Sequence, residues 1–371
     1  MTPAVAVELR RLSLALRRPF LTAHGLMTVR DLLLVRVVTP DGEGWGECAA
    51  LAERGYSDED VDSAQAALRD ELVPALRAAA SASGPPLPAA TVGRLAGSGA
   101  HPMAAAALEM ALLDAELRAA ATSLADHLGG IRAWVEAGVA LGIPASVAEL
   151  VDRVGEALGE GYRRVKLKIR PGWDLDPVRA VRERFGDTVV LQVDANGAYR
   201  PGDTGHLTRL DPFGLAMIEQ PLPAPSLDGH AALARVLTTP VCLDESITSA
   251  AVAAEAIVLG AAAVVNLKPG RMGGLLEARR AHDECRRAGV PVWCGGMLES
   301  GLGRAANLAL ASLAGFTLPG DLAPPERYLA VDIAAPLDRD GPWLRVPAGP
   351  GIGAVLIPEA VEATTVSVET L

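Results

Sequence analysis

The chain has 371 residues, half of them hydrophobic, with 34 basic against 45 acidic side chains and a formal net charge of −11. That acidity is a poor match to a polyanion and sets nucleic-acid binding aside. The sequence has no apolar run of about 18 residues to span a membrane, and "MTPAVAVELR" lacks the basic start and apolar core of a signal peptide.

The length exceeds one ordinary core and implies two domains, or one large barrel with an attachment. In chain order, residues 5–16 and 32–38 read as strands, the first with its apolar phase shifted across Arg10 and Arg11. A turn at "TPDG" (39–42) leads into a third strand in "EGWGECAAL" (43–51). Between the first two strands, "RRPFLTAHGLMTVR" (17–30) reads as a long irregular lid. Ser57 with Asp60 reads as a capping box that opens a helix to about residue 80. Residues 78–90 read as a loop and 102–121 as an apolar, alanine-rich helix, so residues 1–127 form an α+β domain.

From 128 to 320 short apolar strands alternate with helices. Strands are expected at 136–142, 164–169, 189–194, 215–219, 240–244, 263–267, 291–295 and 316–319, with helices such as 146–160 and 249–259 between them. This alternation means a parallel sheet, open or closed, and the repeat of about 25 residues suits a β/α barrel. The segment 321–371 carries strand-like pieces, "WLRVP" and "GAVLIP", and is expected to return to the first domain.

A charged residue ends each of five successive strands: Lys168, Asp194, Glu219, Asp244 and Lys268, at intervals of 26, 25, 25 and 24 residues. Each interval is one β/α unit, so all five reach the same rim, which is the catalytic rim of such barrels. Any one of these carboxylates alone reads as a salt-bridge partner or a helix cap; their common register reverses that reading. Three carboxylates brought to one point repel each other unless a cation sits among them, and an all-oxygen set without His or Cys suits Mg²⁺, with Mn²⁺ as an alternative. Lysines flanking such a cation suit removal of a proton α to a carboxylate, the metal taking up the charge of the enediolate.

Only Lys166, Lys168 and Lys268 are lysine among the 34 basic residues; the other 31 are arginine. Arginine keeps its proton at any working pH, whereas a lysine can release one. Lys166 and Lys168 lie two apart in "VKLKIR", hence on one strand face. Lys166 is expected to lower the pKa of Lys168 by like charge and to help hold the substrate carboxylate, and Arg271 in "KPGRMGG" to lower that of Lys268. Asn196 in "DANG" reads as a turn residue or as support for metal or substrate. The stretch "GGMLESGLGRAANLALASL" (295–313) reads either as a glycine-rich strand-to-helix turn or as backbone N–H groups offered to an anion at a helix N-terminus. Gly296, Met297 and Leu298 within it are candidate substrate supports. The six histidines fall away from the strand ends and read as surface or capping residues, with His24, on the lid, left open. Cys48, Cys242, Cys285 and Cys294 lack metal-site spacing and read as buried thiols of a protein in the reducing cytoplasm.

At "PFLTAHG", "GWGEC", "KLKI", "DANGAY", "IEQPL", "LDES", "NLKPGRMGG" and "FTLPGDL" the sequence resembles the muconate-lactonising subgroup of the enolase superfamily, and within it the o-succinylbenzoate synthase / N-succinylamino acid racemase family. The resemblance implies an α/β fold, a (β/α)₇β modified TIM barrel with an α+β capping domain built from both termini. It implies Mg²⁺ on Asp194, Glu219 and Asp244, with Lys168 and Lys268 on opposite faces of a small carboxylate substrate. The first expectation is the synthase, a lyase that dehydrates a 2-succinyl-6-hydroxy-cyclohexadiene-1-carboxylate in menaquinone biosynthesis; the alternative is racemisation of N-succinylamino acids by proton transfer between the two lysines. Dipeptide-epimerase relatives carry Asp-x-Asp near the last strand, whereas "GDLAP" has Asp321 and Ala323. Relatives are often dimers or octamers, which sets the expectation of a homo-oligomer.

Overall fold

Apolar residues alternate through "VELRRLSLAL", and the strand they build is longer than its pattern. In this computed structural model, which describes residues 5–40, 42–83, 88–96 and 100–371, strand Ala6–Thr22 pairs antiparallel with strand Gly25–Thr39. Residues 1–4, Asp41 of the expected turn and residues 84–87 of the expected loop lie outside the described residues. The expected irregular lid at 17–30 is therefore the far half of a β-hairpin, its tip at Ala23 and His24. The pairing register slips between Ala15 and Phe20, which accommodates Pro19, a residue that cannot donate to the ladder. Strands Gly42–Cys48 and Thr365–Thr370 complete the four-stranded sheet, so the end of the chain pairs with its beginning.

Helix Pro102–Ala119 lies on that sheet. Two glycines allow the close approach: a Cβ on Gly46 would lie 2.0 Å from the Ala107 carbonyl, and one on Gly44 would lie 2.2 Å from that of Ala111. The helix expected to open at Ser57 starts instead at Val61. Its capping box is Asp60 with Ser63, which bond each other's backbone N–H, and the helical run extends through the expected loop to Ser83.

Seven parallel strands follow in sequential order: Val139–Leu141, Arg164–Lys168, Val190–Asp194, Met217–Glu219, Val241–Leu243, Val264–Leu267 and Val292–Cys294. The eighth position is the irregular segment 316–320, bridging Val292 through Phe316 and Ala137 through Gly320, which closes the ring. Serine caps start the expected helices at Val147–Gly159 and Ala250–Leu259. All four cysteines are buried free thiols. His230 and His282, expected as surface or capping residues, are buried and accept from the backbone N–H groups of Leu222 and Gly315; burial lowers the pKa of His230 to about 4. Among the described residues no helix is long and apolar enough to cross a membrane.

Three glutamates of the first domain close helix N-termini. Glu59 accepts from the N–H groups of Met103 and Ala104 at 2.7 and 2.9 Å, and Glu109 from that of Leu276 at 3.1 Å. Glu47 accepts from the N–H groups of Ser300 and Gly303, each at 3.1 Å, and from the Ser300 hydroxyl. Glu47 and Glu109 thereby join the capping sheet and its helix to two barrel helices. Burial pushes all three carboxyls up to about 7. A carboxyl raised in this way holds a proton in the folded chain that the unfolded chain has released. Its stabilisation is full below the unfolded value near 4.5 and falls as pH rises toward 7. Relative to Glu47→Gln, the wild-type protein should therefore lose up to about 3 kcal/mol of stability between about pH 5 and about pH 8. Denaturant unfolding of the two proteins across that range checks it, and a difference independent of pH contradicts it.

Candidate active site

Side chains two apart on a strand share a face, and the register fixes which faces look inward. Ala140, Lys166, Gln192 and Met217 are laddered neighbours, and one step nearer the mouth so are Lys168, Asp194 and Glu219. Asp244 and Lys268 follow directly on the next two strands. Val165, Leu167 and Ile169 fall on the other face, buried. The structure thus brings all five strand-end charges to one mouth, the three carboxylates being at most 1 % exposed.

Each carboxylate is held by cations and amides. Asp194 accepts from Lys168 Nζ at 2.6 Å and from the Asn196 N–H at 3.0 Å. Glu219 accepts from Lys166, Gln192 and Asn266 at 2.9, 2.7 and 2.8 Å. Asp244 accepts from Lys268 Nζ at 2.8 Å, from Arg271, and from the Tyr56 hydroxyl at 3.2 Å. Asn196 spans the first pair, accepting from Lys168 at 2.8 Å and donating to Glu245 at 2.8 Å. Asn196, Gln220 and Leu298 all have positive φ, 45°, 38° and 56°, so three non-glycine residues in the left-handed region border this mouth.

The electrostatics correct two expectations. Burial favours the neutral amine at Lys166, yet Asp321, Glu219 and Asp194 outweigh it and hold its pKa well above the ordinary lysine value. Lys166 is 2 % exposed and gives its ammonium to three protein carboxylates, so it has no N–H left over for a substrate carboxylate. Lys268 is likewise raised: burial, Arg271 and Lys166 lower its pKa, but Asp244 and Tyr56 prevail. Arg271 acts in the expected direction and loses to the nearer carboxylate. Glu219 is pushed up to about 8 by burial and by Asp194, against the opposing pull of Lys166.

Among the described residues no three acidic, His or Cys side chains are grouped so as to hold a metal ion; Lys166 stands between Asp194 and Glu219, and Lys168 and Lys268 pair with Asp194 and Asp244. The donor set nevertheless fits a hard divalent cation. It is three buried carboxylates with no nitrogen or sulfur ligand among them.

A cavity of about 270 Å³ opens on this mouth; Lys268, Asn196, Gly296, Met297 and Leu298 line it on the barrel side, His24 and Tyr56 on the capping side. His24 Nε2 lies 3.7 Å from Glu245. The helix N-terminus at Gly301 offers nothing to an outside anion, because Glu47 and Asp332 already occupy its N–H groups. Of the two readings of 295–313, the strand-to-helix turn holds.

Sequence reasoning missed Gln192, Asn266, Asp321 and the position of Tyr56. The first two had a signal: each is the polar residue two before a rim charge, hence inward-facing in an otherwise apolar strand. Asp321 and Tyr56 lie outside regular strands and had none.

Residues 5–129 match the family model of the mandelate racemase / muconate lactonizing enzyme N-terminal domain, and residues 149–360 match that of the enolase C-terminal domain-like family. The chain belongs to the enolase superfamily. Within it, the chain is 56% identical over 359 residues to the N-succinylamino acid racemase of an Amycolatopsis species, covering 97% of this chain and 96% of the relative. It is 45% identical to the o-succinylbenzoate synthase of Geobacillus kaustophilus, covering 94% and 92%. A crystal structure of an enolase-superfamily member from Listeria innocua superposes with a TM-score of 0.91 at 34% identity, covering 99% of this chain and 98% of that one. The superfamily fold is the curled parallel sheet and the separate antiparallel capping sheet described above.

Proposed function

We propose that this enolase-superfamily chain racemises N-succinylamino acids by moving the α-proton between two lysines. The observation that carries the reading is the placement of Lys168 and Lys268. They stand on strands four apart across the mouth, one bonded to Asp194 and the other to Asp244, the two ends of the carboxylate row. Racemisation needs a proton acceptor on one face of the substrate and a donor on the other. The 56% identity to a relative named for this activity supports it over the synthase, the reading the sequence put first.

Asp194, Glu219 and Asp244 would hold Mg²⁺, which when bound supplies positive charge to a substrate carboxylate whose negative charge grows as the α-proton leaves. Lys168, as the free amine, takes the proton from one face, and Lys268, held protonated, delivers one to the other. The reverse direction exchanges their roles. Asp321 pairs with Arg164 and Lys166 and does not line the cavity, so it is not placed to receive a free substrate ammonium, which favours an acylated amino group.

The synthase remains as a second activity, supported by the 45% identity to relatives of that name. Proton abstraction by Lys168 would start both reactions. Polarimetry of one N-succinylamino acid enantiomer, beside ultraviolet assay of the cyclohexadiene carboxylate, tests the choice. Faster racemisation is expected; dehydration with no racemisation would return the assignment to the synthase.

A further inference from the structure

Asp321 lies at the end of the segment that closes the barrel and carries no part of the proposed proton transfer. It is 8 % exposed, and both oxygens are committed: Oδ1 accepts from Arg164 at 2.7 Å and Oδ2 pairs with Lys166 Nζ at 2.5 Å. Arg164 is fixed in turn by two bonds to the Pro319 carbonyl, at 2.7 and 3.2 Å, and lies over the Trp293 ring. Asp321 is therefore tied down on one side and gives Lys166 its nearest counterion.

Lys166 also lies 2.9 Å from Glu219 and 3.1 Å from Asp194, two of the three carboxylates assigned above to a divalent cation. An ammonium and a divalent cation sharing those oxygens in a buried mouth repel each other strongly. A third anion that is not a ligand can hold the ammonium and limit that conflict. We infer that Asp321 is a positioning residue that keeps Lys166 from competing for Glu219 and Asp194, and so sets the affinity for the divalent cation. The inference rests on the assignment of Asp194, Glu219 and Asp244 as that cation's ligands.

Calorimetric titration of the metal-free, full-length protein with Mg²⁺ alone tests it without any assay of activity. Asp321→Asn keeps the shape and an oxygen for Arg164, and should weaken Mg²⁺ binding about 10- to 100-fold, the usual effect of losing an outer-shell partner. In a Lys166→Met background the ammonium is gone, and the same substitution should then change the affinity by less than about threefold, a coupling that a merely structural role would not produce. Lys166→Met alone, with Asp321 in place, should bind Mg²⁺ no more weakly than the wild type, so the proposal stays testable even if Asp321→Asn folds poorly. Equal losses in both backgrounds, an unchanged affinity in Asp321→Asn, or weaker binding by Lys166→Met would each overturn the role of Asp321. Absence of Mg²⁺ binding by the wild-type protein would instead overturn the ligand assignment, and the proposal with it.

Discussion

For the enantiomer whose α-proton faces Lys168, Lys168→Ala should lower exchange of that proton with D₂O by about 10²- to 10⁴-fold, the contribution of a positioned general base. Lys168 is the more accessible of the paired lysines, its side chain 10 % exposed against 2 % for Lys166, and it reaches the mouth where Lys166 does not. Its Nζ is held by Asp194 at 2.6 Å and Asn196 at 2.8 Å, which fixes the nitrogen without surrounding it. The loss should fall on kcat and leave Mg²⁺ binding in place, because Asp194 keeps its bond from the Asn196 N–H. Proton NMR of the α-hydrogen signal reads the exchange directly, and deuterium uptake at the wild-type rate would remove Lys168 from the reaction.

Lys268→Arg should separate the two candidate activities. Arginine preserves the positive charge beside Asp244 and over the Tyr56 ring, where Lys268 Nζ sits 4.5 Å from the centroid, but it does not release a proton at working pH. Racemisation needs that release in one direction and should fall by about 10²-fold or more, as for loss of a general base. The dehydration needs only a cation there and should retain part of its rate. Parallel loss of both activities would mean that the shape of the lysine, rather than its proton, is what the site requires.

The charged rim was legible because a β/α barrel repeats at a nearly constant interval, so charges ending "VKLK", "LQVD", "MIE", "VCLD" and "VVNLK" had to meet. The hairpin through 17–30 was not legible. Its pairing is set by contacts between Phe20–Thr22 and Gly25–Met27 beyond a register slip, and Pro19 and Gly25 read locally as breakers. The pairing of Asp321 with Lys166 was not legible because the eighth segment holds its place by isolated bridges and has no strand pattern. The net effect on Lys268 was misjudged for a related reason. Sequence displays the neighbouring cation, Arg271, but not how closely Asp244, 24 residues earlier at the end of the adjacent strand, approaches the ammonium. The helix-capping glutamates were equally silent, since Glu47 and Ser300 are separated by 253 residues.

The most direct test of a two-lysine racemase is the isotope content of its first product. Either pure enantiomer of an N-succinylamino acid is converted by the Mg²⁺-loaded wild-type protein in D₂O, and the newly formed antipode is examined by NMR before the reaction has advanced far. If Lys168 removes the proton from one face while Lys268 supplies another from the opposite face, the antipode carries deuterium at the α-carbon from its first appearance. An antipode that retains the original protium would mean that one group carries the same hydrogen across, and would contradict the two-lysine account.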